Sequence, residues 1–204
     1  MRLIELGDLQ HGSLQKLSER LGITDRYLRQ LFEKHLGMSP KQYALYHQLM
    51  FAKQLLHASS MSITDIGYAS GFNSTRRFND AFKKALNLTP SQLRRESNNS
   101  ATHQSIELSY RGSYDWRYTL DFYNLRSVTG LEKIDGNSYQ RYVNIDDDQA
   151  WFKITFGIKP NKVLLEFELD DVTQLKKLVM QVRRVFDLDV DTQLIEQYFE
   201  ELQP

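Results

Sequence analysis

Two short clusters of hydrogen-bonding side chains carry the chemistry that this 204-residue sequence offers: Arg26, Tyr27, Arg29 and Gln30, and some 50 positions later Thr75, Arg76, Arg77 and Asn79. An arginine presents paired N–H donors that match the O6 and N7 edge of guanine, and an amide side chain matches adenine. Each such pair is worth about 1–3 kcal/mol of base discrimination. Lys16, Lys41, Lys83, Lys84 and Arg94 suit phosphates, which position a protein without specifying sequence. The chemistry is therefore recognition rather than bond making. No catalytic residue is expected, because there is no cysteine and no G-x-G-x-x-G, P-loop or G-x-S-x-G motif. Nor is a metal or cofactor: His11, His35, His47, His57 and His103 show no ligand spacing. The acidic run Asp146-Asp147-Asp148 reads as a turn between strands.

Side chains can read a groove only from a firm backbone, and the spacing predicts one. In Ser62 to Leu93, Ile63, Ile66 and Ala69 recur at helical intervals, and Gly71 allows a sharp exit. Asn73 or Ser74 caps a second helix. With Phe78 taken as inward, about 100° per residue puts Ala81, Phe82, Ala85 and Leu86 on the buried arc, and Arg76, Asn79, Asp80 and Lys83 outside it. That is a helix-turn-helix pattern. Asp80 departs from it, since a carboxylate near phosphates repels them; it either orients Arg76 or Arg77 or accepts from a cytosine amino group.

The same series occurs earlier. A short lead-in helix at Arg2 to Leu6 is followed by Ser13 as the cap of a segment with Leu14, Leu17 and Leu21 on one face, ended by Gly22. Thr24 caps a helix with Leu28, Leu31, Phe32 and Leu36 inward, and Gly37 closes it. Leu14, Leu17 and Gly22 match Ile63, Ile66 and Gly71 at an offset of 49; Leu28, Phe32 and Ser39-Pro40 match Phe78, Phe82 and Thr89-Pro90 at 50. Lys41 to about Ala58 joins the copies as one helix, with Tyr43, Leu45, Leu49, Ala52, Leu55 and Leu56 as its apolar positions. It spans about 27 Å, close to the roughly 34 Å turn of B-DNA, so two reading helices could enter successive major-groove segments.

The formal charge is zero but unevenly spread. Residues 1–97 hold 14 Lys and Arg against 8 Asp and Glu, and residues 98–204 hold 12 against 18. A basic DNA-reading half joined to an acidic half follows. No apolar run reaches the length of a membrane span, which makes a cytoplasmic location the default. Polar residues 97–105 read as a linker. Beyond them strands are expected at Ile106 to Tyr110, Tyr139 to Ile145, Trp151 to Ile158 and Val163 to Leu169. Helices are expected after Tyr114-Asp115-Trp116, with Tyr118, Phe122 and Leu125 as apolar positions, across Leu175 to Phe186, and at Thr192 to Leu202. The fold class is two domains: all-α tandem helix-turn-helix units, then α+β with an antiparallel sheet flanked by helices.

At Gly71, Phe72, Ser74, Phe78, Phe82, Lys83, Pro90 and Arg94 the chain resembles the signature of AraC/XylS-type transcription regulators, over residues 1–96. The resemblance implies that Arg26, Tyr27, Arg29, Gln30, Thr75, Arg76, Arg77 and Asn79 face bases, with Lys83 beside them. A second resemblance covers residues 106 to about 196, within a domain expected at 106–204. Leu108 to Arg111, Tyr114-Asp115-Trp116, Tyr139-Gln140-Arg141 and Arg183 to Asp191 are similar to the amino-terminal, TBP-like domain of AlkA-type alkylbase DNA glycosylases, and the whole is similar to Ada-like fusions of the bacterial alkylation response. That likeness makes Phe122 the counterpart of an aromatic residue that stacks on a flipped base, reduced here to a remnant that is expected to pack in the core. It also places glycosylase chemistry in a following helix-hairpin-helix domain, and methyl transfer on a cysteine, neither of which these 204 residues contain.

The expected function is a sequence-specific DNA-binding transcription regulator linked to DNA alkylation damage, acting as a monomer on double-stranded DNA and not as an enzyme. The alternative is the non-catalytic front portion of a glycosylase whose catalytic domain is separate. Candidate partners besides DNA are RNA polymerase and a separate glycosylase domain; no membrane is involved.

Overall fold

The computed structural model describes residues 1–5, 7–95, 104–112, 114–146, 148–191, 195 and 197–199. The chain divides into two compact units, one from Met1–His57 and Ser62–Asn98, the other from Ala58–Met61 and Asn99–Pro204. We call them the helical unit and the sheet unit.

The helical unit runs α1 (Arg2–Glu5), α2 (Asp8–His11), α3 (Leu14–Arg20), α4 (Asp25–Leu36), α5 (Pro40–Ala58), α6 (Ile63–Ala69), α7 (Thr75–Leu86) and α8 (Pro90–Arg95). Its duplication extends to individual hydrogen bonds. Ser13 Oγ accepts from the Lys16 N–H and Ser62 Oγ from Asp65, opening α3 and α6. Thr24 Oγ1 accepts from Tyr27 at 3.2 Å and Ser74 Oγ from Arg77 at 3.3 Å, opening α4 and α7. Before α5 and α8 the cap is reciprocal: Gln42 Oε1 accepts from the Ser39 N–H while Ser39 Oγ accepts from the Gln42 N–H, and Thr89 with Gln92 repeats this 50 residues on. Each cap satisfies donors that a helix start leaves orphaned.

Around the first pair Ile4, Leu14, Leu17, Leu28, Phe32 and Ala44 form one buried cluster. Around the second, Ile66, Phe72, Phe78, Phe82 and Leu93 are buried, with Phe78 placed between Phe72 and Phe82 at ring-centroid distances of 5.2 and 5.6 Å. Leu21 at the end of α3 and Ala85 in the final turn of α7, both assigned inward by periodicity, are exposed. Gly22 and Gly71 both take left-handed φ, +68° and +83°. A side chain there costs about 1–2 kcal/mol, so Gly22→Ala and Gly71→Ala are each expected to lower the melting temperature of the helical unit. Thermal unfolding followed by circular dichroism checks this, and an unchanged midpoint would contradict it.

The sheet unit comprises β1 (Ser105–Ser109), α9 (Trp116–Asn124), β2 (Glu132–Asp135), β3 (Ser138–Ile145), β4 (Asp148–Lys159), β5 (Lys162–Leu169), a 3-10 turn at Val172–Gln174 and α10 (Leu175–Val185). The five strands are antiparallel in the order β1-β5-β4-β3-β2. β2 has no counterpart among the strands expected from sequence; at four residues it is too short for its alternation to register. The region 96–103, which takes in most of the expected linker, lies outside the described residues, as does most of the expected last helix.

One sheet face is buried. Tyr139, Phe152, Ile154, Phe156, Val163, Leu165 and Phe167 point into a core shared with Leu120 of α9 and with Leu178, Val182 and Phe186 at α10. Tyr123 of α9 meets Tyr139 and Phe186 at 5.3 and 5.4 Å. The Tyr139 hydroxyl donates to Glu132 at 2.8 Å, and Arg141 pairs with the same carboxylate oxygen at 3.0 Å. Burial pushes the Tyr114 phenol up to about 12 and raises Tyr123 and Tyr139 as well. A phenol raised by folding contributes stability that is intact below its unfolded value near 10 and is lost as the pH climbs through the folded value. The sheet unit is thus expected to lose stability between about pH 10 and 12. Tyrosinate absorbance against unfolding would show the two rising together; ionisation of these tyrosines near pH 10 in the native state would contradict it.

Candidate nucleic-acid interface

The helices that carry the two recognition clusters are built alike. α4 and α7 have 12 residues each, start at a hydroxyl cap and end in a left-handed residue, Gly37 and Asn87. Both bury two aromatic or aliphatic anchors, Leu28 and Phe32 in one, Phe78 and Phe82 in the other. Holding those anchors inward turns the remaining arc of each helix to solvent.

On α4 the structure leaves Arg26, Tyr27, Arg29 and Gln30 exposed. On α7 it leaves Arg76, Arg77 and Lys83 exposed and half-buries Thr75 and Asn79. Every candidate named from sequence in these clusters therefore reaches the surface, four on each reading helix plus Lys83. Among the described residues Arg26, Arg29, Arg77 and Lys83 enter no ion pair. Arg76 Nε lies 4.0 Å from Asp80 Oδ2 one turn along, with the Arg76 side chain 93% exposed. Such a surface pair stabilises folding by at most about 1 kcal/mol, and its consequence is directional: Asp80 biases where the guanidinium points. Lys16, Lys41 and Lys84 are exposed too.

Arg94, named from sequence as a phosphate contact, is less accessible than these lysines. It is half-buried, with Nε and Nη2 shielded from solvent and without a hydrogen-bond partner among the described residues, and burial holds its guanidinium below the ordinary arginine value.

In the sheet unit Phe122 lies outside the core, 42% exposed, with Tyr118 at 71% and Leu125 at 82%. The core expectation for Phe122 is corrected for a plain reason. α9 buries Leu120, and a residue two positions on lies about 200° around the helix. The Arg126 guanidinium covers one side of the Phe122 ring at 3.9 Å. Phe122, Tyr118, Tyr114 and Val190 line a shallow groove between α9 and the end of α10. Among the described residues no cluster of His, Asp or Glu could hold a metal ion, and no helix is long and apolar enough to cross a membrane.

What sequence reasoning missed lies behind the reading helices. Gln48 on α5 donates through Nε2 to the Gly71 carbonyl at 3.0 Å, and the Gln10 amide sits against the Cα of the same glycine. No local signal marks either glutamine. Tyr43 was assigned as an apolar position, yet its hydroxyl donates to Glu5 at 2.5 Å and burial, then this bond, raises its pKa to about 12.

Comparison with known proteins adds independent information. A helix-turn-helix domain model matches residues 17–96, and an AlkA N-terminal domain model matches residues 105–204. The chain is 27% identical over 202 residues to a Mycobacterium tuberculosis protein named "Probable bifunctional transcriptional activator/DNA repair enzyme AlkA", which covers 96% of this chain and 40% of that protein. It is 40% identical over 76 residues to the HTH-type transcriptional regulator GlxA of Rhizobium meliloti, over 37% of this chain and 24% of that protein. The chain thus spans less than half the length of these relatives. Among solved structures, the C-terminal domain of the response regulator yesN from Fusobacterium nucleatum is 31% identical, with a TM-score of 0.43 over 46% of this chain and 91% of that one.

Proposed function

We propose that this chain, which joins an AraC-type helix-turn-helix domain at residues 17–96 to an AlkA N-terminal domain at residues 105–204, is a sequence-specific regulator of transcription tied to the repair of alkylated DNA. In this reading α4 and α7 enter the major groove of double-stranded DNA, Arg26, Arg29, Arg76 and Arg77 read guanine edges, and Gln30 and Asn79 read adenine. Tyr27 and Thr75 make the apolar base contacts, and Lys83 with Lys16, Lys41 and Lys84 neutralises phosphate. The protein binds as a monomer, because the duplication within one chain supplies both reading helices. It works in the cytoplasm as a binding protein, with RNA polymerase as a candidate partner.

The observation that carries this reading is the repeated pair of capped, 12-residue helices, each exposing two arginines beside an amide that is exposed on α4 and half-buried on α7. The test is a titration of the full chain against a selected duplex at several salt concentrations. Counterion release makes log K fall linearly with log salt, with a slope of about −0.9 per phosphate neutralised. A flat dependence would remove the proposal.

A second reading, the front portion of an alkylbase glycosylase, is favoured by the exposed apolar side of α9, where Tyr118, Phe122 and Leu125 meet no core. Base release from alkylated duplex decides between them. Release that begins only when a helix-hairpin-helix glycosylase domain is added supports this second reading; release by the chain alone contradicts a purely binding role.

A further inference from the structure

We propose that Gln48 and Gln10 are positioning residues that set the spacing at which the two reading helices contact a duplex, an inference that rests on the DNA-reading role proposed above. α7 begins at Thr75, four residues after Gly71, so its direction is fixed by how the turn at Gly71 is held. One side chain bonds it and a second packs beside it. Gln48, from the middle of the long helix α5, donates to the Gly71 carbonyl at 3.0 Å. Gln10, from α2, occupies the space beside the Gly71 Cα: a Cβ built there would lie 2.4 Å from Gln10 Cδ and 2.8 Å from Nε2. Only a glycine admits this approach.

The duplicated turn supplies an internal control. At Gly22, the counterpart of Gly71, a Cβ would meet nothing within 4 Å. A left-handed turn between paired helices therefore needs no such grip, and its presence at one copy alone points to a task belonging to that copy. α4 is joined to α5 through a short connection at residues 37–39, whereas α7 follows α5 only through α6 and two turns. The second reading helix is the one whose placement needs an added tether to α5. Gln10 lies ahead of residue 17, where the match to the helix-turn-helix domain begins, so half of the grip comes from a segment outside that domain.

Groove contacts made by two rigidly related helices tolerate one separation of contacted segments; a loosened turn tolerates several. The full chain is first used to select duplexes from a random pool. The selected site is then remade with one base pair added or removed between its two contacted segments. Wild-type protein is expected to bind these spacing variants much more weakly. In Gln48→Met, which keeps side-chain length but removes the donor, the penalty is expected to shrink roughly threefold to tenfold, the size of one hydrogen bond; in Gln10→Ala, which removes only a packing contact, it is expected to shrink by less, with base preferences at the contacted positions retained in both. An unchanged penalty in both variants overturns the inference while leaving DNA binding intact, and so does an equal loss of affinity at every spacing, which is the mark of mere unfolding. Failure to select any duplex removes the DNA-reading role and this inference with it.

Discussion

Replacing Phe78 with alanine is expected to destabilise the helical unit by about 3–5 kcal/mol, the usual range for deleting a buried phenyl ring. The ring is completely buried between Phe72 and Phe82. It also lies against Gly67 of α6, where a Cβ would come within 3.1 Å of Phe78 Cδ1. One side chain thus joins α6, which supports the turn, to α7, the helix proposed to read the groove. Losing it removes the aromatic contacts on both sides and leaves a cavity that two neighbouring rings are too stiff to fill. Since a domain of this size is stable by only about 5–15 kcal/mol, the substitution is expected to leave the second helix-turn-helix pair partly unfolded. Chemical denaturation of the full chain measures it: the transition of the helical unit moves to lower denaturant, and that of the sheet unit stays where it was. A shift below 1 kcal/mol would mean that Phe78 is not the joint described here.

The second large effect is on specificity. Arg76→Ala is expected to cost about 1–3 kcal/mol at a single base position and to relax the preference there, while other positions keep theirs. Folding supplies no competing explanation, because Arg76 is 93% exposed and its contact with Asp80 is a long surface pair, whose loss alters stability by less than about 1 kcal/mol. Lys83→Ala provides the contrast. A phosphate contact carries no sequence information, so its removal is expected to weaken all duplexes alike and to reduce the salt slope by about one. Binding to the selected site and to each of its single-base variants separates the two patterns. If Arg76→Ala weakened every variant equally, Arg76 would be a phosphate contact and the base-reading assignment on α7 would fall.

The two effects arise at opposite faces of the same helix. Phe78 and Phe82 hold α7 down, and that alone turns Arg76, Arg77 and Lys83 outward. The energy that fixes the outward face is hydrophobic, whereas the residues proposed to read bases contribute almost nothing to stability. Substitutions at the face are consequently free to change specificity without unfolding the protein.

Much of this was legible in advance. Hydroxyl caps at Ser13, Thr24, Ser39, Ser62 and Ser74, left-handed exits at Gly22, Gly37 and Gly71, and anchors at Leu28, Phe32, Phe78 and Phe82 are local signals, each acting over three or four residues. They recur at an offset of 49 before the turn and 50 after it, so two helix-turn-helix pairs and their outward arginines could be read from spacing, and four strands of the acidic half from alternation. Where an element is short, periodicity has too little to work with: β2, at four residues, gives no readable alternation.

The sequence by itself determined the longer helices and strands and which arc of α4 and α7 faces water, because backbone hydrogen bonding and the burial of apolar side chains are decided within a turn or two. Only the tertiary structure decided that β1 pairs with β5 at the far edge of the sheet, that α9 buries Leu120 and exposes Phe122, and that Gln10 and Gln48 meet at Gly71. Those contacts join residues tens of positions apart, where no periodicity or cap connects the partners. Their energy exists only once the elements have packed.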